Sequence, residues 1–165
     1  MGEKAMNTCL YNSPIGILQI SEVDGKITNL NLYRETVQHT HGQTGRTQRS
    51  GLLQEACLQL DEYFRGKRKQ FDLPLKYTGT SFQESVWREL LNIPYGETRS
   101  YEDIAVKIGN PKAVRAVGQA NNRNPILLMI PCHRVIHKSG DISGFACGIE
   151  TKKYLLELEG HIRCL

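Results

Sequence analysis

No run of apolar residues in this 165-residue chain approaches the roughly 20 needed to cross a bilayer. A membrane-spanning helix is therefore excluded. The N-terminal stretch MGEKAMNTCLYNS lacks the apolar core of a secretory signal, so the expected location is the cytoplasm with no membrane partner. There is no C-x-x-C pair either. The five cysteines, at 9, 57, 132, 147 and 164, are scattered and odd in number, which argues against a disulfide framework and a zinc knuckle. Reduced thiols are expected. Acidic residues are missing from Ile104 to Gly140, where Lys107, Lys112, Arg115, Arg123, Arg134 and Lys138 give a local +6 within a net +4. Such a stripe is the footprint of a polyanion binder, or merely a solvated face. What is present, an apolar share of 39%, suffices for a core and excludes disorder over the whole chain.

Local patterns predict an α+β fold with two domains, 1–77 and 78–165. The first is a small, strand-rich α/β domain. In it, Ile17–Ile20 and Ile27–Leu32 flank Asp24-Gly25, a turn dipeptide that tolerates positive φ, and so read as a hairpin. The polar segment 34–50 reads as a surface loop, with His39-Thr40-His41 in it solvated rather than metal-bound. Ser50 caps a predicted helix with Leu53, Cys57, Leu60 and Phe64 on one face, and Phe71, Leu73 and Leu75 alternate as a strand would.

The second half is mostly helical. Ser81-x-x-Glu84 reads as a capping box ahead of Val86, Trp87, Leu90 and Leu91, with Pro94 as the stop. Ser100, with Asp103 three residues on, caps a short helix through Ile104, Ala105 and Ile108. Gly109-Asn110-Pro111 then reads as helix end, cap and first position of the next helix, with Val114 and Val117 inward. Two short helices joined by a tight turn form a helix-turn-helix pattern, found in DNA-binding proteins and elsewhere. Ala113, Ala116, Gly118 and Ala120 are small where a solvated helix would carry long polar chains. They allow close approach of the protein's own core or of a nucleic-acid groove, and Arg115 among them favours the groove.

Leu127–Ile130 reads as an apolar strand ending in Pro131-Cys132-His133-Arg134-Val135. The thiolate is the nucleophilic form of cysteine, and nearby His or cationic groups lower its pKa from about 8.5. Cys9 and Cys57 read as small buried hydrophobes, whereas Cys132 adjoins His133 inside the basic stripe. Neighbours in regular structure face different ways, so His133 would serve Cys132 only from a turn, through a water.

The P-C-H-R-V motif, with Arg115-Ala116-Val117-Gly118 and Asn124-Pro125 before it, resembles the O6-alkylguanine-DNA alkyltransferase family. The likeness extends through TSFQESVW from Thr80, IPYGETRSY from Ile93 and LLELEG from Leu155. The first half matches in layout only. The resemblance implies a monomeric direct-reversal repair protein, without cofactor or metal, acting on double-stranded DNA that carries O6-alkylguanine, with O4-alkylthymine as a second candidate lesion. It also implies a winged-helix-like unit that enters the minor groove. Cys132 would accept the alkyl group in one irreversible step, with His133 as its base, Glu159 orienting the imidazole, Tyr101 donating to the guanine ring, and Asn124 tying the recognition helix to the active-site loop. DNA contacts are expected from Ser100, Lys112, Ala113, Arg115, Ala116 and Gly118, with Arg115 filling the gap left by a flipped base. Pro131, Val135, Phe145, Ala146 and Cys147 are expected to line the substrate pocket.

Phe145-Ala146-Cys147-Gly148 departs from the family's usual Tyr followed by small residues and Gly-Gly. Cys147 is expected to narrow the pocket, or to pair with Cys132 on oxidation. Val114 stands where Ala is frequent. The rival readings are a non-enzymatic alkyltransferase-like lesion binder, which would lack the nucleophile, and a Cys/His hydrolase, which would need an oxyanion site.

Overall fold

Asp24 and Gly25 adopt φ of 52° and 70°, the left-handed pair that a two-residue hairpin requires. They join β2 (Gly16–Val23) to β3 (Lys26–Leu32), as their residue types predict. The computed structural model describes residues 5–34 and 49–161, so most of the polar segment read as a surface loop lies outside the described residues. A further strand, β1 (Met6–Ser13), was not anticipated. It pairs antiparallel with β2 from Met6↔Val23 to Ser13↔Gly16 and gives the order β1-β2-β3. Its one buried apolar side chain is Cys9, too little alternation to mark a strand in sequence.

Helix α1 (Gly51–Phe64) starts where predicted, with the Ser50 hydroxyl accepting from the Leu53 amide. It packs on β1 and β2 through Leu53, Ala56, Cys57, Leu60 and Tyr63; Tyr63, rather than the expected Phe64, is the fully buried ring. The strand expected over Phe71–Leu75 does not form. Its alternation is real, half-buried against exposed, but only a single parallel bridge to Ile27 results, with Ile27 N–H donating to the Pro74 carbonyl. Pro74 has no N–H with which to extend a ladder.

The chain divides into two compact units, Met1–Lys76 and Tyr77–Leu165. The second begins with α2 (Ser81–Leu90), whose capping box is set one residue earlier than the sequence suggests. Thr80 is the cap and Gln83 its reciprocal partner, while Glu84 accepts from the Gly79 amide. Leu91, expected inside, is exposed just past the helix end. Ser100 and Asp103 form the expected box on α3 (Tyr101–Lys107), ended by Gly109 at φ 79°. Asn110 does not cap the next helix: 110–113 close as a turn, and α4 (Val114–Asn122) starts from Ala113 without a side-chain cap. Pro111 fixes that turn's φ instead of opening the helix. Val117 is buried and Val114 only half-buried.

Helices α2, α3 and α4 pack on one another around Val86, Trp87, Leu90, Ile104 and Val117. Trp87 Nε1 donates to the Ala120 carbonyl at 2.9 Å. Ala120 is thereby part of the core, a correction to its expected place in a groove. Two-residue strands β4 (Arg99–Ser100) and β5 (Val135–Ile136) pair in parallel, and α5 (Ile149–Leu158) packs on the turn at Cys132–Arg134. Among the described residues no helix is long and apolar enough to cross a membrane.

Candidate active site

Ile126–Pro131 is buried, irregular backbone rather than the expected strand, with Leu128 at φ 70°. Asn124 explains how it holds without a partner strand. Its Nδ2 donates to the Ile130 carbonyl at 2.7 Å and its Oδ1 accepts the Ile126 amide at 3.0 Å, so one side chain clamps both ends of the loop. The chain then tightens into a 3-10 turn, Cys132–Arg134, closed by Arg134 N–H donating to the Pro131 carbonyl at 3.0 Å. Pro131, the residue before Cys132, is itself buried.

That turn aims consecutive side chains at different elements. Cys132 is 3% exposed and His133 fully buried. His133 Nε2 lies 2.8 Å from Glu159 Oε1 at the end of α5, and Nδ1 has no hydrogen-bond partner among the described residues. Arg134 turns inward as well: Nε and Nη2 donate to the two Glu159 oxygens at 2.9 and 3.0 Å, and Nη1 donates to the Ile93 carbonyl at 2.7 Å. Its expected place in a basic surface stripe is therefore corrected. Lys107, Lys112, Arg115, Arg123 and Lys138 are the exposed cations of that segment.

Burial dominates the electrostatics. It pushes the Cys132 thiol up to about 11, against the pull of an Asn124 hydrogen bond and the Lys152 charge. The depressed thiol pKa expected from neighbouring cations is thus not the resting condition. Burial also lowers His133, outweighing the attraction of Glu159, so the imidazole rests neutral. Glu159 behaves oppositely: burial would raise it, but hydrogen bonds from His133 and Arg134 hold it well below the usual carboxylate range. The resting site is a neutral thiol, a neutral imidazole and an ion-paired carboxylate.

Tyr101, the first residue of α3, is 6% exposed, and burial raises its hydroxyl pKa. Gly118 on α4 faces its ring: a Cβ built there would lie 3.8 Å from Tyr101 Cε1. Lys152 is fully buried, donates through Nζ to the Val135 carbonyl, and stands 5.8 Å from the Tyr101 ring centroid and 5.4 Å from that of Phe145. Desolvation lowers it to about 8, with the charges of Cys132 and Asp141 opposing. Phe145 to Gly148 forms a turn, the Gly148 amide donating to the Phe145 carbonyl at 3.0 Å, and its central residues are exposed Ala146 and half-buried Cys147.

On α4 and the turn before it, Lys112 and Arg115 are exposed while Ala113, Ala116 and Gly118 are half-buried. Ser100 is buried, and its hydroxyl is engaged in capping α3. Sequence reading passed over three residues here. Asn121, 1% exposed, donates from Nδ2 to the Cys132 carbonyl at 3.2 Å. Arg134 was counted as surface charge. Lys152 had a legible signal: it lies with Leu155, Leu156 and Glu159 at i, i+3, i+4 and i+7, the apolar face of α5.

Residues 6–77 match the model of the 6-O-methylguanine DNA methyltransferase ribonuclease-like domain, and 81–161 that of the DNA binding domain of the same family. The constitutive methylated-DNA–protein-cysteine methyltransferase of Bacillus subtilis is 49% identical over 156 residues, covering 89% of this chain and 91% of that protein. Among solved structures, the Mycobacterium tuberculosis O6-methylguanine methyltransferase aligns with a TM-score of 0.82 at 43% identity, covering 98% of this chain and 96% of that one. The M. tuberculosis protein in complex with DNA aligns with a TM-score of 0.79 at 46% identity, covering 93% and 91%. With both domain models matched in order and near-complete alignment to these relatives, the chain belongs to the 6-O-methylguanine DNA methyltransferase family.

Proposed function

We propose that this protein repairs DNA by direct reversal, moving the alkyl group of O6-alkylguanine in duplex DNA onto Cys132 Sγ in a single turnover. The observation that carries it is the buried chain from the Cys132–His133 turn to Glu159, with one imidazole nitrogen on the carboxylate and the other unpartnered. Relatives named for the same transfer, and a similar structure solved with DNA, support it.

Sulfur attacks the alkyl carbon as its bond to O6 breaks. The thiol proton passes by way of a water to His133 Nδ1, so thiolate forms only as the reaction needs it. Displacement at a saturated carbon generates no tetrahedral oxyanion; it needs alignment and a donor for the departing purine. Tyr101 supplies that donor, and the guanine finally carries the proton the thiol lost. The product thioether has no good leaving group, so each molecule acts once. Cys132 also separates this reading from that of a lesion binder without a nucleophile.

Lesion access requires extruding the base, at a cost of a few kcal/mol. Arg115, exposed on α4, fills the vacated stack, and Lys112 contacts phosphate. Small Ala113 and Ala116 suit a minor groove about 6 Å wide. The protein acts as a monomer. Intact mass after incubation with methylated DNA tests the proposal: one added methyl, located on Cys132, is expected, and an unchanged mass would overturn it.

A further inference from the structure

Cys9 on β1 and Cys57 on α1 take no part in this chemistry, yet their sulfurs lie 4.0 Å apart. They are 8% and 7% exposed, so each could be an ordinary core residue. Simple burial does not account for the pairing, nor for the cation beside it. Cys9 faces inward opposite Ile20, and Cys57 sits one turn after Leu53 on the face of α1 that meets β1 and β2. Arg49, just before the helix cap, donates from Nη2 to the carbonyl of Leu10, the residue after Cys9, at 3.1 Å. The Cys9 hydrogen bond draws Cys57 down to about 7; burial and Asp61 oppose this, and the Arg49 charge assists. Cys9 moves the other way, raised by that hydrogen bond, by burial and by Glu22. One sulfur is thus primed to attack while its neighbour keeps its proton.

We infer that Cys9 and Cys57 form an oxidative modification site, a dithiol that a hydroperoxide converts into an intramolecular disulfide tying β1 to α1. Cys57 thiolate attacks the peroxide oxygen, the O–O bond breaks, and Cys57 becomes a sulfenic acid. Cys9 sulfur then attacks Cys57 sulfur and releases water. In sum two thiols and one hydrogen peroxide give one disulfide and two waters. The sulfurs, 4.0 Å apart, must close by roughly 2 Å to reach bonding distance. Cys132, held up at about 11, has far less thiolate at neutral pH and reacts later.

The full chain is treated with equimolar hydrogen peroxide, quenched, alkylated with N-ethylmaleimide in denaturant and mapped by peptide mass. A Cys9–Cys57 linked peptide that appears before any product at Cys132, and that dithiothreitol reverses, is the expected result. The inference is overturned if Cys9 and Cys57 remain alkylatable once Cys132 has been oxidised, or if a Cys132–Cys147 link forms first. In Cys9→Ser, whose hydroxyl keeps a hydrogen-bond donor beside Cys57 but cannot close a disulfide, the Cys57 sulfenic acid should be trapped by dimedone, and a folded variant without that adduct would remove Cys57 from the attacking role. The wild-type mapping decides the disulfide even where the variant fails to fold.

Discussion

Lys152 Nζ stands 5.8 Å from the centroid of the Tyr101 ring, and both side chains are buried. In the transfer proposed above, negative charge develops on the Cys132 sulfur and on the purine leaving toward Tyr101, and the Lys152 charge acts on that sulfur. With Lys152 titrating near 8, its charge is present below that pH and lost above it. The transfer rate should therefore climb with pH as the thiol ionises more readily, then flatten or fall above about 8. In Lys152→Met that limb should disappear and the rate at neutral pH should drop on the order of tenfold. A wild-type profile that rises smoothly through pH 9 would remove Lys152 from the reaction.

Cys132→Ala should abolish transfer while leaving affinity for DNA within about twofold, because a 3% exposed sulfur contributes little to phosphate contact. Mass spectrometry and a binding isotherm on the same preparation check both halves.

Glu159 serves both His133 and Arg134, so its replacement has two effects that separate. Glu159→Gln should slow transfer about 100-fold by weakening the imidazole as a base. It should also destabilise the fold by roughly 3 kcal/mol, because Arg134 is left as a buried, uncompensated charge. Adding Arg134→Met should recover much of the stability and little of the rate, which denaturation and single-turnover kinetics measure independently.

Acid should act through the same pair. His133 is lowered in the fold, so below its ordinary value of 6.5 the unfolded chain binds a proton that the folded chain refuses, and stability falls as pH drops. Glu159 is also depressed; its contribution is complete above its ordinary 4.5 and is lost as pH falls below that value. Unfolding free energy should decline in two phases on acidification, and Glu159→Gln should show a smaller lower one, since Asp103 is also held down.

Arg115→Ala should slow repair of duplex DNA at least tenfold more than reaction with free O6-methylguanine, since only the duplex needs an extruded base held out. Equal slowing of both would place Arg115 in the pocket. Binding to DNA should weaken with salt, with a log-log slope no steeper than about −4.5, the value that phosphate contacts from all five exposed cations of the segment would give.

Cys147 occupies the centre of the Phe145–Gly148 turn, half-buried. With this turn over the alkyl pocket, as the family resemblance implies, the Cys147 side chain would take space that a bulky alkyl group uses, so O6-benzylguanine should react poorly and Cys147→Gly should raise that rate by about tenfold while leaving methyl transfer unchanged. Identical benzylguanine rates in the two proteins would refute the steric effect.

What the sequence determined by itself were features set by a few adjacent residues. Asp24-Gly25 favours left-handed φ and so makes the hairpin; Ser50 and Ser100 satisfy amides that no helix can satisfy internally; the P-C-H-R-V run puts thiol and imidazole on consecutive residues. Caps shifted by a residue, as at Thr80, because neighbouring hydroxyls compete and only the chain's entry angle selects between them. Tertiary structure decided what depends on distant partners. Leu127–Ile130 looks like a strand, yet the Asn124 side chain and turns within the segment supply its hydrogen bonds. Arg134 and Lys152 are indistinguishable from surface cations until Glu159, Ile93 and Val135 are brought to them, and Cys9 meets Cys57 only when β1 folds under α1. Even the ionisation of Cys132 belongs to this second group, because desolvation is a property of everything packed around the sulfur and outweighs the charge of its neighbours in the chain.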